Sequence, residues 1–377
     1  MKRPAVILAC LASCGLPALA TGVPELDMDK LNPSAVCGEC HQTIYAMWRR
    51  SMHAAAATDP IFEASYDRAY RETAGKAEQL CLRCHAPAAL HSGEAGMQDG
   101  SFREGISCDY CHSVIAVDLR QHDSPMRIAL DGRKRGPLRQ AESPAHGVQR
   151  SDLHLSAEFC GACHEYVNEA GLAVLSTYSE WRVSPQASQG KTCQHCHMPM
   201  TPGETVPSSL APSRGMINLH DLSGGHSADQ VRKAATLRIV RFERTAAGDA
   251  QIEVEVASVG SGHSLPTGMP TRKILLEVAV FHEGREIRRF EHPYQKQILD
   301  ARGNLILEDH ATSLRSHRLL EDNRLRAGER RIERFVATGM PRGSLRVAAT
   351  LRYVYEPRLL LPKAMSIEMA SDEAPTR

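Results

Sequence analysis

Hydrophobic and polar positions divide this chain into two unlike halves. From about Ala234 onward the pattern has a period of two: Ile252, Val254 and Val256 alternate with Glu253 and Glu255. Leu345, Val347, Ala349, Leu351, Tyr353 and Tyr355 likewise form one apolar face, with Arg346, Thr350 and Arg352 on the other. Successive side chains of a strand point to opposite faces, so each run predicts a half-buried strand. Thr236–Arg244, Lys273–Phe281 and Arg331–Thr338 predict further strands, with turn signals at Ala247-Gly248-Asp249, Glu283-Gly284-Arg285 and Arg302-Gly303-Asn304. Short strands at this spacing predict an antiparallel, immunoglobulin-like β-sandwich of about seven strands, with no helix.

The N-terminal half alternates little and predicts short helices joined by long irregular loops. Trp48–Thr73 is its longest helical candidate, interrupted near Pro60. Thr201–Arg214 is rich in Pro, Ser and Thr and reads as a connector. The expected fold class is therefore α+β. A mainly helical and irregular domain over 21–226, with the connector at about 201–215, precedes the β-sandwich over 227–377.

Composition sharpens this picture. Aromatic residues make up only 5% of the chain, too few to fill a conventional core in the irregular half. What that half does contain is Cys-x-x-Cys-His, five times: Cys37–His41, Cys81–His85, Cys108–His112, Cys160–His164 and Cys193–His197. This is the attachment pattern of c-type haem, in which two thiols add to the porphyrin vinyl groups and the adjacent His ligates iron. A shuffled chain of this composition would hold about 0.02 such motifs, so five are not accidental. Paired cysteines also bind zinc, but zinc ribbons do not need His after every second Cys. The pattern predicts five covalent haems, with Cys37, Cys40, Cys81, Cys84, Cys108, Cys111, Cys160, Cys163, Cys193 and Cys196 as attachment points. His41, His85, His112, His164 and His197 are the proximal ligands. The porphyrins would then supply the missing apolar mass, and this half would depend on them to fold.

Met1-Lys2-Arg3, the apolar run to Leu19 and the small-residue site Ala18-Leu19-Ala20 read as a secretory signal over 1–20. Export to the periplasm fits the attachment chemistry. Leu11-Ala12-Ser13-Cys14 also resembles a lipoprotein processing site, which would tether the protein. No later run approaches the ~18 apolar residues that a membrane span needs. Of 12 cysteines, the two outside the motifs, Cys10 and Cys14, belong to the signal, leaving no thiol for a structural disulfide. The formal charge of +1 would be outweighed by about ten haem propionates. With no concentrated basic face, nothing points to nucleic acid; Arg133-Lys134-Arg135 reads as a solvated loop or a propionate neighbour.

Ser34–Tyr66, with its haem motif, Trp48 and Ser51-x-His53, resembles the multihaem family of the tetrahaem electron carrier that serves hydroxylamine oxidoreductase. His154 ahead of Cys160, Thr177–Trp181 (TYSEW), Ser184-Pro185 and Lys191–Pro199 continue the resemblance across about 34–226. Gly262–Gly268 (GHSLPTG) with Arg272 resembles a domain appended to some multihaem cytochromes. The resemblance implies closely packed haems, mostly ligated by two histidines, and a role in nitrogen- or sulfur-compound respiration. The chain lacks the Cys-x-x-Cys-Lys motif of the nitrite reductases and has fewer haem motifs than the octahaem oxidoreductases, which weakens an enzymatic role.

Function turns on the sixth position of each iron: two protein ligands leave electron transfer alone, and one leaves room for substrate. The candidates for that position are His53, His91, His146, His154, His220, His226 and His263. His53 and His154 match the family's positions, and Gly224 and Gly225 would let His220 and His226 approach a porphyrin closely. His122, beside Asp123, reads as solvated, and His195 lies inside its own attachment loop. His282, His292, His310 and His317 read as sandwich surface. Met198 and Met200 follow a proximal His and read as haem-edge packing, while Met52 points elsewhere than His53. The leading expectation is a periplasmic electron-transfer protein working between a quinol-side donor and a terminal reductase or other cytochrome, the sandwich serving as a docking module. The alternative is an oxidoreductase acting on a small nitrogen or sulfur compound at one open haem, with Tyr110 and Arg103 as conceivable participants. A third reading is a homo-oligomer or larger cytochrome assembly in which a His of one chain ligates haem in the next.

Overall fold

The computed structural model describes residues 27, 29–92, 102–121, 123–211, 215–359 and 364–375. The expected signal segment, with Cys10 and Cys14, and His122 lie outside these residues.

The C-terminal half folds into two antiparallel sheets. Strands β1 (Ala235–Arg244), β2 (Ala250–Ser258), β3 (Arg272–His282), β4 (Arg285–Leu299), β5 (Arg318–Asp322), β6 (Arg330–Ala337), β7 (Leu345–Tyr355) and β8 (Met365–Pro375) follow in chain order. One sheet runs β6-β2-β1 and the other β5-β4-β3-β7-β8. The period-two runs lie where the pattern predicts, and their apolar faces meet: Ile252, Val254, Ile274, Leu276, Val278, Tyr294, Val347 and Leu351 belong to one buried cluster. Register brings Leu276 opposite Leu351, and Ile252 between Phe335 and Phe242. Gly248 turns β1 into β2 with φ +89°, a conformation that favours glycine.

Four elements here escape the pattern, one of them β5, which is exposed throughout. β4 starts with exposed residues and carries Pro293, so alternation appears only in its second part. β8 is the outermost strand of its sheet and buries little beyond Met369. The helix Asp309–Arg315 corrects the expectation of a helix-free half; it lies between β4 and β5 and packs against the helix Pro60–Glu72 of the other half.

The N-terminal half is built of short helices and two-stranded ladders. Only the second part of the candidate helix over 48–73 forms: Gln42–Trp48 ends where the candidate begins, 49–59 is turns, and Pro60–Glu72 is helical. The Asp59 side chain caps the second segment by accepting from Ile61 N and Phe62 N, both at 3.1 Å, and Pro60 sits at the first position, where its missing N–H costs nothing. Trp48 donates Nε1–H to Ile106 O at 2.9 Å, and buried Asp109 holds Lys134 and the backbone N–H of Asn32. The buried apolar cluster is small, centred on Ala57, Tyr66, Leu82, Ala86 and Ala89. In place of a large core there is a continuous cavity of about 1720 Å³. Part of the Pro/Ser/Thr-rich connector is ordered too, since Met200–Pro202 pairs with Met216–Asn218. No helix among the described residues is long and apolar enough to cross a membrane.

Candidate haem centres

Each motif sits on one short helix: Ser34–Cys40 with His41 next, Ala77–His85, Cys108–Ser113, Ala157–His164 and Cys193–His197. Residues three and four apart on a helix share a face, so both thiols and the His of each motif can address one group. All ten thiols and all five motif imidazoles line the cavity. Four of the imidazoles are oriented by backbone carbonyls at Nδ1: His41 by Thr205 O (2.8 Å), His85 by Ala56 O (2.9 Å), His197 by Ser223 O (2.8 Å), and His112 by Arg135 O. Donation from Nδ1–H leaves Nε2 unprotonated, with its lone pair turned towards the cavity. Thr205 thus gives the connector a role beyond linkage.

Other histidines face these imidazoles across the space. His146 lies 6.3 Å from His41, His53 lies 6.3 Å from His164, and His263 lies 6.4 Å from His197, measured between ring centres. A metal–imidazole bond of about 2.0–2.1 Å, with about 1.1 Å more to the ring centre, puts two imidazoles on opposite sides of one metal with centres about 6.3 Å apart. All three pairs have that spacing. His154 stacks nearly parallel on His112 at 5.6 Å, short of it, with Nε2 directed at Cys111 O. His220 also approaches the third motif, its Nδ1 held by Asn218 O at 2.7 Å and its ring near His112 and His41. His226 lines the cavity near Arg272 and Asp59. His91 is exposed and does not line it.

Burial favours the neutral imidazole, the form that can ligate, at four of these positions. It pushes His53, His154 and His220 from 6.5 down to about 4, and His164 to about 3, with neighbouring imidazoles adding to the effect for each. Several buried atoms in this wall have no hydrogen-bond partner in the protein, among them His154 Nδ1 and Arg272 Nε. Buried polar atoms are ordinarily satisfied. A haem offers both the metal that an imidazole nitrogen takes and the carboxylate that a guanidinium takes, so the residues present fit the group.

The motifs are also close to one another. The thiols of Cys37 and Cys108 lie close enough to shift each other's ionisation, as do those of Cys84 and Cys163 and of Cys160 and Cys193. Attachment edges of different motifs therefore adjoin.

Several residues stand apart from the sequence reading. The His310 side chain, expected on the sandwich surface, is fully buried and lines the cavity from the helix Asp309–Arg315. Phe62 stacks on His85 at 3.9 Å and 10°; its signal was the i, i+4 pair with Tyr66. Gly225 makes room for the Tyr353 hydroxyl, 2.6 Å from where a Cβ would stand, whereas Gly224 faces open space. His195 closes a capping box with Thr192. Met52, Met198, Met200 and Tyr110 line the cavity, burial raising the Tyr110 phenol, while Arg103 is exposed.

A cavity lined by five Cys-x-x-Cys-His motifs, with further imidazoles opposite, defines a multihaem c-type cytochrome. Residues 36–113 match the family described as cytochrome c554 and c-prime. A solved structure, the penta-heme cytochrome c552 from Thermochromatium tepidum, is similar with a TM-score of 0.71 and 20% identity. The likeness covers 92% of this chain and 99% of that one, and at this identity it establishes the fold alone. A CARDB domain of the PF1109 protein from Pyrococcus furiosus (12% identity, 36% of this chain, 84% of that one, TM-score 0.18) carries no argument at that score. No curated protein sequence matches the chain.

Proposed function

We propose that this chain binds five c-type haems in the periplasm and relays single electrons between a quinol-side donor and a terminal reductase or other cytochrome. The observation that carries this reading is the set of three imidazole pairs, His41–His146, His164–His53 and His197–His263, spaced for two axial ligands on one metal. Two ligands close an iron to substrate and leave it electron transfer. Bound haem supplies the one-electron carrier. The motif imidazoles, oriented by backbone carbonyls, would hold the iron, and the motif thiols would hold the porphyrin edges. The closeness of thiols of the first and third, second and fourth, and fourth and fifth motifs supports a connected array. The resemblance to the tetrahaem carrier that serves hydroxylamine oxidoreductase supports a relay role as well.

The second motif favours the alternative. Among the described residues, the ring that packs on His85 is Phe62, and no second imidazole is paired with His85 at axial spacing. That haem is the candidate for an open site, where a small nitrogen or sulfur compound would bind. Low-temperature EPR of the air-oxidised holoprotein, with and without nitrite or cyanide, separates the two. Wholly low-spin signals, indifferent to added anion, are expected for a relay. A high-spin signal that shifts on anion addition would instead establish an open haem and overturn the pure relay.

A further inference from the structure

The loop Gly262–Gly268 belongs to the C-terminal half, yet it carries the imidazole facing His197. Its position is set by contacts from both halves. On its own side, Leu265 exchanges backbone hydrogen bonds with Leu325 at 2.8 and 3.1 Å, and Arg324 Nη1 donates to Pro266 O at 3.1 Å. From the haem side, Glu180 of the helix Thr177–Arg182 accepts from Ser264 N at 3.2 Å and from Thr267 Oγ1 at 2.7 Å, and Thr177 Oγ1 meets Thr267 Oγ1 at 2.8 Å. Glu180 and Arg324 then meet across the loop at 2.7 Å, with side chains only 10% and 6% exposed. Asp322 grips the same guanidinium through Nε and Nη2, each at 2.8 Å. Nearby Lys296 reaches from β4 to Val174 O at 3.3 Å and Ser176 Oγ at 3.4 Å.

A buried ion pair contributes little net stability, because desolvating two charges offsets most of their attraction. An apolar contact would join the halves as well. What a charged, multiply hydrogen-bonded pair adds is direction: beside Ser176 Oγ of its own half at 2.8 Å, Glu180 takes its remaining partners, Ser264, Thr267 and Arg324, from the other half, and His263 is adjacent to Ser264. His263 Nδ1 is itself engaged by Ser261 Oγ and Ser264 O, both at 3.0 Å.

We propose that Glu180 and Arg324 are positioning residues that couple the docking of the two halves to the sixth ligand of the haem at Cys193–Cys196. On this reading the C-terminal half is a ligand-supplying part of the haem array as well as an appended module. The proposal rests on His263 ligating opposite His197.

The test uses the holoprotein and four variants: Glu180→Ala, Glu180→Gln, Arg324→Lys and His263→Ala. EPR and cyanide binding count the low-spin haems in each. His263→Ala is expected to convert one haem per chain to a cyanide-binding, high-spin form that added imidazole restores. Glu180→Ala is expected to give the same signature in part, with Glu180→Gln and Arg324→Lys smaller because each keeps part of the hydrogen bonding. Thermal melting of the β half should change less than the haem signal. If His263→Ala exposes a haem and every Glu180 and Arg324 variant stays fully low-spin, the clamp is structural only and the proposal falls. If His263→Ala itself leaves all haems low-spin, the ligand assignment fails instead. Should Glu180→Ala not accumulate, Glu180→Gln and Arg324→Lys decide.

Discussion

The two halves of this molecule solve the problem of a hydrophobic core in opposite ways. The C-terminal half fills its interior with its own side chains: Ile252, Val254, Ile274, Leu276, Val278, Val347 and Leu351 are each at most 1% exposed. The N-terminal half has a handful of such residues around Ala57 and Leu82, and elsewhere encloses a cavity of about 1720 Å³. Close packing is the norm for protein interiors, and a void of that size lined by imidazoles and thiols has no internal source of stability. One half is complete as a polypeptide, and the other is completed by what it binds.

Withholding haem attachment breaks that comparison most severely. In a host lacking the attachment machinery, residues up to about 226 are expected to lose protease protection while the β half keeps a cooperative melt. Proteolysis mapped by mass spectrometry reads this directly, and equal loss of protection in both halves would refute the contrast. A mid-sized effect is expected within the β core. Leu276→Ala removes a side chain with no exposed surface and should cost about 2–5 kcal/mol in the stability of that half, leaving haem spectra unchanged. Denaturant melts followed by strand CD and by Soret absorbance in parallel would show whether the two halves separate.

The smallest effect concerns pH at the boundary. Burial by itself would raise the Glu180 carboxyl, but Arg324, Thr267 and Ser176 hold it below its ordinary 4.5. The unfolded chain then binds more protons than the folded one between those two values. The contribution of Glu180 is therefore full above about pH 4.5 and lost as pH falls through the folded value. The gap in melting temperature from Glu180→Gln should be the same at pH 7 and 5 and should shrink below pH 4.5 as the carboxyl protonates. A gap that stays constant below pH 4.5, down to the acid limit of folding, would mean that the charge on Glu180 is not what joins the halves.

The strands with clean alternation were legible because burial on one face imposes a period of two, as in β2 and β7. β4 was not, since its first residues are exposed and Pro293 interrupts it, and β8 was not, since an edge strand with one buried residue needs no apolar stripe. The helix Asp309–Arg315 buries His310, Ala311 and Thr312, a set with no apolar periodicity to announce it. Its burial depends on packing against Pro60–Glu72, far away in the chain. Among the histidines, those with a family position were readable one at a time, but which imidazole each would face was not. His53 meets His164, and His146 meets His41, across separations that no local pattern spans.

By itself the sequence determined the chemistry of attachment, because two thioether bonds and an adjacent axial nitrogen require a fixed local spacing, which a linear chain can display. It also determined the strands whose two faces meet different solvents. Tertiary structure alone decided the rest. Which imidazoles oppose each other across a cavity wide enough for a metal, and which carboxylate and guanidinium bridge the two halves, depend on distances through space between segments that share no register along the chain.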